Sequence, residues 1–145
     1  MNLKDCLKHF IHLELEAAKV YEKIAEHSEG EIAQVAKTFQ NEEAVHAQRL
    51  EELLASKETI SNQTVNEELL LLPRYGSELE TSTKLDTRKQ LFTFALQAEK
   101  DSILMYQEIA NQLPESSALY QFFNDLIKEE RDHMFFILKK LHELS

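Results

Sequence analysis

Two stretches decide how this sequence folds: NEEAVHAQRL, Asn41 to Leu50, and KEERDHMFFI, Lys128 to Ile137. Each places a Glu three residues before a His, Glu43 with His46 and Glu130 with His133, inside a run free of Gly and Pro. With 21 Glu and 6 His in 145 residues, chance supplies about one such pair, so the spacing informs only through its surroundings.

Those surroundings repeat. YEKIA, Tyr21 to Ala25, matches YQEIA, Tyr106 to Ala110, and Glu14 and Glu99 each precede their Tyr by seven residues. Glu14 and Glu43 are 29 residues apart and Glu99 and Glu130 are 31 apart, a difference that turns near Gly30 and Pro114 can absorb. Each half reads Glu, Tyr, Glu, His. The chain therefore contains one helical hairpin written twice.

Composition agrees with helices. Only two Gly and two Pro occur, while Ala, Leu, Glu, Lys and Gln abound, which favours an all-α chain over a turn-rich sheet. A length of 145 residues suits a single domain, 1–145, around one core. Asn2 can cap a first helix running to about Glu29, and Gly30 breaks it from a second that runs to Lys57. Thr83 with Asp86 resembles a capping box for a third helix, which stops near Leu113. Pro114 can open a fourth, running to Leu144. The expected organisation is hairpin 2–57, hairpin 85–144, and between them a crossover over 58–84 with Pro73, Gly76 and the apolar run Leu69 to Leu72. A connection that long joins helix ends that lie far apart.

Steps of three and four place the polar residues on the apolar seams. The first helix gives Leu3, Leu7, Phe10, Glu14, Ala17, Tyr21, Ile24, and the second Ile32, Ala36, Phe39, Glu43, His46, Leu50, Leu53. The third gives Phe92, Ala95, Glu99, Ser102, Tyr106, Ile109, Leu113, and the fourth Leu119, Phe123, Leu126, Glu130, His133, Ile137. Four Glu and two His thus point at the core, whereas Glu16, Glu22, Glu51 and Glu52 fall on a solvated face.

A buried unpaired carboxylate costs several kcal/mol, and four facing one another also repel. Two divalent cations would cancel the charge of Glu14, Glu43, Glu99 and Glu130, and carboxylates can bridge metals about 3.5 to 4 Å apart. Imidazole with carboxylate suits iron or manganese better than a calcium site or a thiolate zinc site. The spacing of three sets each Glu and His on one helical face, predicting one metal for each motif.

This pattern resembles the ferritin-like di-iron carboxylate proteins, whose bundle takes one Glu from each of two helices and a Glu-x-x-His motif from each of the other two. Glu14, Glu99, Glu43 with His46, and Glu130 with His133 match that set, and the crossover falls where the fold requires one. The Glu-then-Tyr spacing in helices one and three is similar to the rubrerythrin group. That resemblance implies a ferritin-like four-helix bundle with two iron ions per chain, manganese or zinc being possible substitutes. Rubrerythrins typically carry a further Glu one turn after the third-helix Glu, where this chain has Ser102, and often append a rubredoxin domain, which this sequence lacks. The resemblance thus implies a di-iron oxidoreductase of peroxidase type, which reduces hydrogen peroxide with electrons from an external donor such as a rubredoxin-like protein. Two other classes stand beside it: a ferroxidase or iron-handling protein, with oxygen as the alternative oxidant, and a non-catalytic bundle that metals hold together.

The remaining features bound the reading. Sixteen basic against 26 acidic residues, a net charge of −10, exclude a phosphate backbone as partner. The opening MNLKDCLKHF lacks a continuous apolar run, and no later stretch is long enough to span a bilayer, so a cytoplasmic location is expected. Cys6 is the sole cysteine, which leaves no intramolecular disulfide, and its expected place is the core. Tyr21 and Tyr106 are expected in the core, with hydroxyls able to reach metal-bound carboxylates. Glu42 and Glu129, one residue before each motif Glu, read as exposed, with orientation of a ligand His as the minority alternative. His9, His12, His27 and His142 lack counterparts and read as surface residues, while Met105 and Met134 read as core. Phe135, Phe136 and Leu138 exceed what one seam covers, which predicts a homodimer.

Overall fold

The turns fall near the few residues that break a helix. The computed structural model describes residues 3–56 and 88–144 and contains, among them, four helices and no strand. These are α1 (Leu3–Glu26), α2 (Gly30–Ala55), α3 (Arg88–Ala110) and α4 (Ala118–Leu144). α1 packs on α2 and α3 on α4, giving two hairpins, and α1 also packs on α3. This is the expected all-α, ferritin-like four-helix arrangement. The expected crossover, with its Leu69 to Leu72 run and the Thr83 capping box, lies outside the described residues, as does the Asn2 cap.

Helix ends differ from expectation in three places, one being α3, which stops at Ala110 rather than Leu113. α1 stops at Glu26 rather than Glu29, because the His27 and Ser28 amides turn back to the Lys23 and Ala25 carbonyls. Gly30 then adopts φ +61°, a left-handed conformation that costs glycine little and a β-carbon much, and α2 starts from it. The fourth helix begins at Ala118, not at Pro114. Ser117 is the reason: its Oγ accepts the Tyr120 amide at 3.1 Å, capping the helix three residues beyond the proline.

The seams are buried as periodicity requires. Leu3, Leu7, Phe10, Ala17, Tyr21 and Ile24 on α1 are all closed to solvent, as are the apolar seam residues of α3 and α4. On α2, Ala36 and Leu50 are buried and Ile32, Phe39 and Leu53 are half-buried. Leu13, Val20, Leu91, Ala98 and Ile127 widen the core beyond a single seam. Cys6 and Met105 are buried, and Met134 packs against the core while remaining partly open. The core is two apolar clusters. One is centred on Phe10, Tyr106, Phe123 and Leu126, the other on Tyr21, Ile24, Phe92 and Ile137. The motif Glu and His residues lie where the two clusters meet, so an apolar wall closes the polar layer at each end. Phe135 is 61% exposed and Leu138 41%, while Phe136 is half-buried against Phe39.

Phe123 is fully buried and meets Phe10, Tyr106 and Phe122. Phe123→Ala should therefore cost about 3–5 kcal/mol. Phe135→Ala, at an exposed position, should stay within about 0.5 kcal/mol. Urea denaturation of the two variants beside wild type, followed by circular dichroism, measures both.

Candidate metal centre

Glu14 on α1, Glu43 and His46 on α2, Glu99 on α3, and Glu130 and His133 on α4 are all buried and converge. Glu14, Glu43, His46 and Glu130 offer ligand atoms within 4.8 Å of one another, and so do Glu43, Glu99, Glu130 and His133. Glu43 and Glu130 belong to both groups. The structure thus brings all six expected residues together, and each motif lies whole within one group, Glu43 with His46 and Glu130 with His133. His46 Nδ1 lies 2.7 Å from Glu130 Oε1 but 3.9 Å from Glu43 Oε2, and His133 Nδ1 lies 2.7 Å from Glu43 Oε1. Each motif Glu belongs to both groups, while each His belongs to one.

The donor atoms meet in the manner of ligands. Both oxygens of Glu43 and Glu130, Glu99 Oε2 and His133 Nδ1 are buried without a hydrogen-bond partner. His46 Nδ1 also lies 3.3 Å from Glu14 Oε2, so both imidazoles turn a nitrogen into the carboxylate cluster. Buried groups left this way cost free energy unless a further species satisfies them, and divalent cations bound by carboxylate and imidazole do so. The residues fit metal binding, with Glu43 and Glu130 common to both groups, Glu14 and His46 in one only, and Glu99 and His133 in the other only.

A second ring of contacts holds the donors in place. Tyr21 donates its hydroxyl to Glu99 Oε1, and Tyr106 donates to Glu14 Oε1, so each tyrosine ties its own hairpin to a carboxylate of the other. Each imidazole is held from outside across the α2–α4 contact. His46 Nε2 donates to Glu129 Oε2 at 3.1 Å, and His133 Nε2 donates to Glu42 Oε2. Glu42 and Glu129 therefore orient the histidines, where the sequence reading had them chiefly as surface acids. Their carboxylates fix the Nε2–H tautomer and turn Nδ1 inward. The signal was present as an acidic residue before each motif Glu. Arg49, 3.0 Å from Glu129, carried no such signal.

Of the other titratable residues, His12, His27 and His142 are exposed and His9 is half-buried. Glu22, Glu51 and Glu52 are exposed as expected, but Glu16 is largely covered and pairs with Lys19 at 3.4 Å. Asp101, which the seams did not predict, is buried and accepts from Gln97 at 2.9 Å.

Electrostatics follow from burial and repulsion. Desolvation, with the neighbouring carboxylates, holds Glu43 and Glu130 well above the ordinary carboxylate range. Burial pushes Glu14 the same way, but contacts with Glu43, His46 and Tyr106 win and lower it. Burial and the adjacent glutamates raise both tyrosines, so their phenols stay protonated donors. Burial would lower His133, yet Glu99 and Glu42 outweigh it and raise it to about 9. His46 is raised in the same way, by Glu14 and Glu129.

A crystal structure of a protein from Thermotoga maritima, provisionally classed as a ferritin-like diiron-carboxylate protein, matches this chain with a TM-score of 0.78 at 25% identity. The match covers 100% of this chain and 97% of the other. No family model matches, and no curated protein does. No helix among the described residues is long and apolar enough to cross a membrane. The likeness supports the ferritin-like di-iron carboxylate proteins for fold and for a metal-binding cluster, and reaches no narrower subgroup.

Metal-free protein should lose stability as pH rises from 6.5 to about 9. His133 binds its proton more tightly folded than unfolded, so its contribution is complete below 6.5 and is lost through its folded value of about 9. The raised Glu43 and Glu130 act with the same sign; the lowered Glu14 acts only in acid, below 4.5. Thermal melts of chelator-treated protein across this range should show a falling Tm, and added manganese should flatten it by replacing those protons. A flat profile without metal would show that the cluster holds no such protons.

Proposed function

We propose that this protein is a non-haem di-iron oxidoreductase of rubrerythrin type, reducing hydrogen peroxide with electrons from an external donor such as a rubredoxin-like protein. The observation that carries it is the pair of donor groups sharing Glu43 and Glu130 as bridges, closed off by apolar clusters at both ends. Four carboxylates and two neutral imidazoles balance two divalent ions, and the ligand set favours iron. When bound, the iron pair would supply two electrons in one step, which matches the two-electron need of a peroxide.

The chain's own residues set the conditions for that chemistry. Glu14, Glu43, His46, Glu99, Glu130 and His133 would hold the metal ions. Tyr21 and Tyr106, protonated and buried, hold Glu99 and Glu14 in fixed orientations, which favours a positioning role for the phenols. Ser102 lies buried one turn after Glu99, in the place where the rubrerythrin pattern has a further carboxylate. A ferroxidase is the alternative reading, favoured by the same acidic cluster and by the net charge of −10, which draws cations to the surface.

Metal content tests the centre. Wild type purified with iron should hold two ions per chain, Glu43→Ala and Glu130→Ala should hold fewer, and Glu51→Ala, at an exposed position, should match wild type. Equal retention in all of them would defeat the assignment.

The oxidant tests the activity. Stopped-flow absorbance on anaerobically reduced, iron-loaded protein should show faster oxidation by hydrogen peroxide than by dissolved oxygen at equal concentration. Ser102→Glu should keep the metals and alter both rates, because an added carboxylate can take an open position. Oxygen reacting as fast or faster moves the reading to the ferroxidase.

A further inference from the structure

The two hairpins repeat in sequence, but their histidines do not share surroundings. Counted from the Glu-x-x-His motifs, Arg49 on α2 corresponds to Phe136 on α4, and Phe39 on α2 to Leu126 on α4. Glu129 Oε2, which accepts from His46, also lies 3.0 Å from Arg49 Nη1. Glu42, which accepts from His133, has that histidine as its one ion-pair partner among the described residues. Where an arginine would correspond stands Phe136, packed edge-on to Phe39 at 5.3 Å, and Phe39 in turn stacks on His133 at 4.1 Å. His46 instead lines a surface cleft of about 220 Å³ between α2 and α4, together with Glu42, Arg49 and Glu129.

Both differences act in one direction. A carboxylate shared with a guanidinium accepts less strongly from an imidazole, so His46 Nδ1 is the poorer donor of the two. The charge of Arg49 also opposes a cation at that end, reduced by its 45% side-chain exposure. His133, pinned by an aromatic stack and an unshared carboxylate, is held in its donor orientation.

We propose that the two metal positions are unequal: the ion at Glu99 and His133 is tightly held, while the ion at Glu14 and His46 is the weaker one, with Arg49 as the positioning residue that sets the difference. This rests on the reading of two metal ions per chain.

Titration of metal-free protein with cobalt(II), followed by visible absorption and equilibrium dialysis, tests it. Wild type should bind in two steps, the second at least about tenfold weaker than the first. Arg49→Met should tighten the second step about tenfold and leave the first in place. Glu42→Gln should weaken the first step by about 10- to 100-fold, and Glu129→Gln the second. All three side chains are about half exposed, so folding is preserved, which circular dichroism verifies. Two equal steps in wild type overturn the proposal, as does an Arg49→Met variant in which both steps move together or neither moves. Fewer than two cobalt ions bound at saturation instead overturns the two-metal reading, and the proposal with it.

Discussion

Four carboxylates buried within reach of one another cannot all be ionised without compensating positive charge. Glu14, Glu43, Glu99 and Glu130 are each closed to solvent, and several of their oxygens meet no hydrogen-bond donor. Without metal, the protein takes up protons: the bridging glutamates and both histidines are driven upward, and the cluster becomes partly neutral or internally paired. Cations relieve the same repulsion without protons. The rest of the bundle serves to hold the donors at the distances where this exchange is possible.

That holding is done across the hairpins rather than within them. The tyrosine hydroxyls cross between α1 and α3, and the histidine contacts cross between α2 and α4. Glu14, Glu99 and both histidines are therefore each oriented by a residue of the other repeat, and neither hairpin could form the centre alone. Apolar packing supplies the main stabilisation, while these few polar contacts select the register in which the helices meet. The aromatic group around Phe10, Tyr106 and Phe123 joins the two roles, since Tyr106 packs by its ring and donates by its hydroxyl.

A duplicated sequence invites the assumption of two equivalent metal positions, yet the surroundings break the symmetry. Arg49 and Phe136, Phe39 and Leu126 occupy matching places and differ in charge, shape and exposure. Phe39 stacks on His133, while Arg49 pairs with the carboxylate that holds His46.

The sequence by itself determined the helical class, the two hairpins and the six convergent residues, because helical periodicity is local and a repeated motif is visible without coordinates. Glu14, Glu43, Glu99 and Glu130 were legible as polar interruptions of apolar seams, a signal strong enough to survive errors of three or four residues at the helix ends. Those ends were less legible: Ser117 outcompetes Pro114 as the start of α4, since a side-chain cap satisfies an amide that the proline ring cannot. Only the tertiary structure decided that Glu43 and Glu130 are shared, that Glu42 and Glu129 reach across to the histidines, and that Arg49 takes hold of just one of them. These are contacts between residues some eighty positions apart, set by how α2 lies against α4, and no periodicity within a single helix records that orientation.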